Sequence, residues 1–295
     1  MRLFANFLKD PPPTYAFELS EQGMAFAGVS ASGQCGFVPF DAGVLLVSPV
    51  HDNIQQASVV EERIRAVLPP NGHRKRRAAL IVPDHSARVA VLDFDAFPSE
   101  HEERLALLRF RMKKSVPFDA DSAVVSFAVQ PHRRGSSAAK VEVLAAVMAA
   151  EIVARYEAPF RALGVHPGYV TTSSLAALNL IHPDGITMLV KLSGHILSVL
   201  VLQDSAVRLA RSVELDDDGA EELESVLHPT VAYIEDELKA SLKRVWLCGL
   251  DPRHAALAER WQEEWKAAVV PLHSRLGAPT AHNAGLLGYL ESVAG

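Results

Sequence analysis

Cysteine is nearly absent from this chain of 295 residues: Cys35 and Cys248 stand far apart and form neither a CxxC nor a Cys/His metal spacing. That excludes a disulfide framework and a zinc site, and it suits a reducing compartment. No apolar run reaches the ~20 residues that a membrane-spanning helix needs. The most apolar stretch, Ile186 to Leu202, is broken by Lys191 and His195. Positive charge is not in excess either. Lysine and arginine number 29 against 35 acidic residues, a net charge of −6, which excludes broad electrostatic attraction to nucleic acid. Hydrolase and nucleotide signatures are missing: there is no GxSxG, no HExxH and no Walker A pattern. Asp84-His85-Ser86 has the residue types of a serine triad, but adjacent residues cannot converge their side chains. None of the 12 histidines is paired at i,i+4, and the acidic run Glu214 to Glu224 lacks calcium-loop spacing. That run, with Asp216-Asp217-Asp218, reads as a solvated helix start, so no metal site is expected.

What is present is a chain 49% hydrophobic, long enough for roughly two domains. Residues 1–13, MRLFANFLKDPPP, place Leu3, Phe4, Phe7 and Leu8 at helical spacing before a triple proline. They lack a signal peptide's long apolar core, and read as a short helix against the body or as a weak interfacial foot on a membrane. Strand-like runs follow at Tyr15 to Leu19, Met24 to Val29 and Val44 to Val47, then a helix over Asp52 to Leu68 and a strand over Ala78 to Val82. The order strand, strand, strand, helix, strand recurs later. Its second copy runs through Ile186 to Lys191, Ile196 to Leu202, Val207 to Glu214, a helix from about Gly219 to Leu238, and Val245 to Cys248. A duplicated plan is expected. Between the copies, Ser99-x-x-Glu102 is a capping-box pattern ahead of a helix with Leu105, Leu108 and Met112 on one face. Strands over Ala123 to Gln130 and Lys140 to Met148, and a helix over Ala150 to Leu163, complete an α-β-β-α insertion. The basic run His73-Arg74-Lys75-Arg76-Arg77 reads as a solvated loop or a dock for anionic lipid or an acidic partner. Trp261 and Trp265, one turn apart with Leu257 on the same side, read as core.

The inserted region carries text that resembles a known family. Ile81-Val82-Pro83-Asp84, Val89-Ala90-Val91-Leu92, Leu108-Arg109-Phe110-Arg111 and Ser115-Val116-Pro117-Phe118-Asp119 are similar to the corresponding stretch of the type IV pilus assembly proteins PilM. The likeness extends more loosely over the chain to the closing Gly285-Leu286-Leu287-Gly288. It implies an actin-like α/β fold related to the division protein FtsA, with two ribonuclease H-like βββαβ halves and a small α+β domain inserted in the first. The implied division is a segment 1–13, a first half at 14–95 and 166–183, an insertion at 96–165, and a second half at 184–295. PilM-like proteins sit on the cytoplasmic face of the inner membrane, bind ATP between their halves and grip the cytoplasmic N-terminal peptide of the membrane protein PilN. The peptide groove implied here is lined by Phe110, Val116, Pro117 and Phe118.

The ATP site is altered at the positions the resemblance assigns. Actin-like phosphate turns carry an aspartate followed by glycine, a carboxylate to orient metal-bound water and bare backbone to approach phosphate. The matching positions are Glu18-Leu19-Ser20 and Lys191-Leu192-Ser193-Gly194. A cation at Lys191, where magnesium would be faced, replaces attraction with repulsion worth several kcal/mol within about 4 Å. The glycine pair for adenosine is reduced to Cys248-Gly249-Leu250-Asp251, and only Asp216 to about Val226 is left for the lid subdomain. The expectation is a degenerate pocket at Glu18, Ser20, Lys191, Ser193, Gly194 and Gly249, with no catalytic residue, no metal and no required cofactor; ATP and Mg2+ are the residual candidates. The expected role is a non-catalytic scaffold holding a PilN-like peptide, with self-association and peripheral membrane contact left open. Two alternatives stand beside it: an active actin-like ATPase or kinase, and a cytoplasmic component of type II secretion like GspL, whose chains continue into a membrane helix where this one ends at Gly295.

Overall fold

The computed structural model describes residues 13–28, 35–69, 76–131 and 140–294. The N-terminal helix expectation and residues 73–75 of the basic run lie outside the described residues, as do residues 132–139 between the two inserted strands. In chain order the elements are β1 (Tyr15–Ser20), β2 (Gly23–Gly28), β3 (Cys35–Pro39), α1 (Ala57–Val67), β4 (Arg76–Val82), β5 (Arg88–Phe94), α2 (His101–Met112), β6 (Val124–Val129) and β7 (Val141–Met148). Then come α3 (Ala150–Ala162), β8 (Val165–Thr172), α4 (Ser173–Ala177), β9 (Ile186–Ser193), β10 (Ile196–Gln203), β11 (Ala206–Glu214), α5 (Ala220–Asp236), β12 (Leu242–Cys248), α6 (Ala255–Trp265), β13 (Ala268–Pro271) and α7 (Ala284–Ala294). No described helix is long and apolar enough to cross a membrane.

Two five-stranded sheets repeat one plan. Their strand orders are β3-β2-β1-β4-β8 and β11-β10-β9-β12-β13, each an antiparallel meander continued by two parallel strands. The repetition read from the sequence is therefore a repetition of topology. Alternation explains how the second sheet packs: Met188, Val190 and Leu192 of β9 join Leu223, Leu227 and Ile234 of α5 and Trp261 of α6 in one core. Successive residues of a strand point to opposite faces, so Lys191 points away from that core. Trp261 is buried and stacks on Trp265 at 5.3 Å, and Leu257 packs against the same core, as expected.

The described chain forms two compact units. The first comprises residues up to 86, 150–181 and 273–294; the second comprises 87–149 and 182–272. Residues 273–294, counted with the second half from chain order alone, pack in the first unit, where α7 lies against α4 and β1. The inserted sheet, β5-β7-β6, takes in Arg88–Phe94, ahead of the 96 boundary, because β5 pairs along its whole length with β7. It packs with the second-half sheet at β11. There the Gln130 side chain stands in for a strand, donating to the Val207 carbonyl and accepting from the Val207 amide, both at 2.7 Å. Beside it the buried Arg208 guanidinium pairs with Glu142.

Two local expectations are corrected. The third strand of the first sheet is Cys35–Pro39; Val44 to Val47 is a loop whose backbone is bonded elsewhere, Leu46 N–H to the Asn53 carbonyl and Val47 N–H to Glu21 Oε1. Val44 and Leu45 are buried there, so the apolar run reports burial rather than strand pairing. The capping box at Ser99 does not form either: α2 is preceded by Glu100, with no side-chain cap.

A buried polar knot fixes that loop in the first unit. Tyr156 OH donates to Asn53 Oδ1 at 2.7 Å, Ser86 Oγ donates to the same oxygen at 3.1 Å, and Asn53 Nδ2 donates to the carbonyls of Ser48 and His51. Burial pushes the Tyr156 phenol above its ordinary value of about 10. The folded state thus keeps a proton that the unfolded chain releases, and stability present below pH 10 is lost as pH rises above it. Tyr156→Phe should lower stability at pH 7 by about 1–2 kcal/mol and flatten the loss above pH 10, leaving the slope due to Tyr169 and Tyr289, whose phenols are also raised. Denaturant titrations across pH check this. Gly288 is a close approach of a second kind, since a Cβ there would lie 2.1 Å from the Ala176 carbonyl oxygen. Gly288→Ala should part α7 from α4 at about 1–3 kcal/mol, read as a lowered thermal midpoint.

Candidate functional site

The first phosphate-turn position is occupied by structure. Glu18 sits mid-strand in β1 and is 1% exposed. Its carboxylate accepts from the Ser173 hydroxyl and, at 2.7 Å, from the Leu286 amide. Leu286 lies in the first turn of α7, so the carboxylate caps an amide that a helix start otherwise leaves orphaned, and it also takes the hydroxyl of Ser173, which opens α4. Asp84 acts in parallel, accepting the Ser174 amide and hydroxyl at 2.7 Å each. In the β1–β2 turn, Ser20 is buried and donates to the Gly23 carbonyl at 3.0 Å. Asp84 and Ser86 of the dismissed triad are thus committed to different partners, Ser174 and the Asn53–Tyr156 knot.

The second turn lies at the far end of β9. Lys191 is 2% exposed, in a central strand between Ser198 of β10 and Cys248 of β12. Ser193 is half-buried, and Gly194 makes the tight turn to β10 at φ +59, a left-handed conformation that favours glycine. The segment joining β11 to α5 is residues 215–219, shorter still than the lid remnant read from the sequence. It is held by the loop that would meet adenosine. Gly249 follows β12 at φ +77, Leu250 packs against the second-half core, and Asp251 begins a turn in which His254 is buried. His254 Nδ1 accepts the Asp251 amide at 3.1 Å, its Nε2 lies 3.0 Å from the Asp218 carbonyl, and Arg253 pairs with Asp218 and Asp251. Among the described residues no cluster of three or more histidine, cysteine or acidic side chains is arranged to hold a metal.

The four candidate peptide contacts lie at the end of α2 and in the turn after it. Phe110 is 72% exposed on α2, and Pro117 is exposed. Val116 and Phe118 are half-buried and pack on Met112, Ala123 and Val147, the inserted module's own core. Phe110 and Pro117 therefore offer surface, while Val116 and Phe118 support it. Arg111, Lys113 and Lys114, which follow Phe110 in the chain, are exposed, and Lys113 pairs with Asp121 at 2.9 Å.

Sequence reading missed the partners of the buried carboxylates. Thr172-Ser173-Ser174 before an apolar run is a helix-start signal, and it could have located α4. Nothing local could have paired Ser173 with Glu18, 155 residues away. Gln130 and its Val207 partner gave no signal in the sequence.

No protein-family model matches the chain, and no curated protein matches it by sequence. Among solved structures it is similar to a chain of the PilM–PilN type IV pilus biogenesis complex, with a TM-score of 0.72 at 15% identity over 97% of this chain and 100% of that one. It is also similar to a Bacteroides thetaiotaomicron protein of unknown function with an actin-like ATPase fold, with a TM-score of 0.54 at 10% identity over 97% and 98% of the two chains. A third similarity is to the cytoplasmic domain of EpsL, an inner membrane component of the type II secretion system of Vibrio cholerae, with a TM-score of 0.50 at 12% identity over 95% and 94%. What is shared at such identities is the path of the chain: this protein has the actin-like fold, with a small α+β module inserted in the first half, and in that fold it resembles PilM.

Proposed function

We propose that this protein is a non-hydrolysing scaffold at the cytoplasmic face of an inner-membrane type IV pilus or related secretion assembly, holding the cytoplasmic N-terminal peptide of a PilN-like membrane protein. The observation that carries the reading is the commitment of Glu18. A carboxylate that orients metal-bound water must face solvent and metal; this one accepts two protein donors in the interior. With Lys191 at the partner position and Asp218 engaged by Arg253, the chain keeps the frame of a nucleotide-binding fold without the groups that manage Mg-ATP. Recognition is the work left to it, and the similarity to a chain of a PilM–PilN complex supports a peptide from a membrane-anchored partner. The exposed Phe110 offers an apolar anchor.

The type II secretion reading rests on the weaker similarity to EpsL, and the ATPase reading on the fold alone. Isothermal titration with the cytoplasmic N-terminal peptide of a PilN-like membrane protein tests the proposal. Phe110→Ala should weaken binding by about tenfold, a typical anchor loss of roughly 1.4 kcal/mol, with thermal stability unchanged because the side chain is exposed. Phe118→Ala is a poor probe, since it also opens the module's core. Unchanged affinity in Phe110→Ala would remove Phe110 as the anchor. Glu18→Gln is expected to act on the fold, lowering stability by about 1–3 kcal/mol in chemical denaturation.

A further inference from the structure

The inserted sheet runs β5-β7-β6, so β6 is its outer strand, and nothing in the scaffold reading uses that edge. The Gln130 amide donates to the Glu142 carbonyl at 2.8 Å, continuing the register that sets Val129 opposite Val143. Backbone groups alternate sides along a strand, so Val124, Ser126 and Ala128 turn theirs to β7, while Val125, Phe127 and Val129 turn theirs away. Among the described residues no hydrogen bond reaches those outward amides and carbonyls. Proteins commonly blunt such an edge with a charge, a proline or a bulge. β6 has none of these: its sequence is VVSFAV, and its pairing with β7 runs without a register shift.

The strand is also held in place for pairing. Val125 and Phe127 pack on the module's core, with the Phe127 ring against Phe97 at 5.7 Å and against His101 at 5.8 Å. Val124 and Val129 are left 47% and 51% exposed. The outward groups complement themselves. An antiparallel copy laid along the edge with Phe127 opposite Phe127 sets Val125 opposite Val129, and each outward amide and carbonyl then meets its counterpart in a hydrogen-bonded pair. The same register covers the exposed Val129 of one copy with Val125 of the other. Charge selects this direction. Asp119 and Asp121 precede β6 and are exposed; a parallel copy would set them beside their like, whereas the antiparallel copy carries them to opposite ends.

We propose that two copies of this chain pair edge to edge through β6, about a two-fold axis at Phe127, so that the three strands of each inserted sheet join into one sheet of six.

Sedimentation equilibrium of the whole protein should show a mass that rises with concentration toward that of a dimer. A monomer at about 1 mM, where any Kd below a millimolar populates the dimer, would overturn the proposal. Val129→Pro removes an outward N–H and spares the ladder to β7, so it should weaken the dimer about tenfold, one hydrogen bond being lost on each side of the axis. Ser126 is exposed and would lie diagonal to Ser126 of the other copy. Ser126→Lys and Ser126→Glu should each weaken self-pairing about threefold, and an equimolar mixture of the two should associate more tightly than either alone. These exposed changes serve if the proline variant does not fold. Parental association in both folded charge variants, or a mixture no tighter than its components, would contradict the pairing. A chain that stays monomeric while Val129→Pro weakens the PilN-like peptide would also sink it, by giving the edge to the peptide.

Discussion

The carboxylate of Glu18 holds the first unit together across its longest sequence separation. It lies in β1, near the start of the chain, and accepts the amide of Leu286, 268 residues later, and the hydroxyl of Ser173 on the way. Both donors open helices, so the negative charge meets the positive ends of α4 and α7 in a dry interior, where a charge-assisted hydrogen bond is strong and an orphaned donor is expensive. Asp84 repeats the device one strand over, on Ser174. The tight seat of α7 follows from this: Gly288 lets its backbone touch Ala176, and Gly285 lets it approach Ile81 and Ser173. The scaffold function proposed above rests on this commitment of the Glu18 carboxylate.

The second half keeps the same strand order with a different chemistry at the same place. Lys191 occupies the corresponding strand position, buried between β10 and β12. The short connection after β11 leaves little to fold over a nucleotide, and the Asp218, Arg253 and His254 contacts tie that connection to the loop after β12. At the two corresponding strand positions, one half thus holds an engaged carboxylate and the other a buried lysine. Meanwhile the inserted module, fixed to β11 by Gln130 and Arg208, presents Phe110 at its surface.

Much of this was legible in the residues. The duplicated plan showed because each half repeats short apolar strands around a tight turn, Ser20 to Gly23 and Ser193 to His195, before a helix. The inserted strands and α3 showed because their alternation and turn residues are local. The third strand was misplaced because Val44 to Val47 is as apolar as a strand and its Val44 and Leu45 are buried, while the true β3, Cys35–Pro39, pairs with β2 through a less apolar stretch. The assignment of 273–294 could not be read, since α7 is fixed by a glutamate at the other end of the chain. Glu18 itself was visible as a departure from an aspartate-glycine turn, but its partners are long-range and carry no local mark.

Thermal denaturation of the purified protein in rising Mg-ATP tests the central claim most directly. A protein whose Glu18 is committed to Ser173 and Leu286 and whose second turn bears Lys191 should show no change of midpoint at any concentration. A saturable stabilisation, reaching about 2.7 kcal/mol at 100 times the dissociation constant and accompanied by phosphate release, would contradict it.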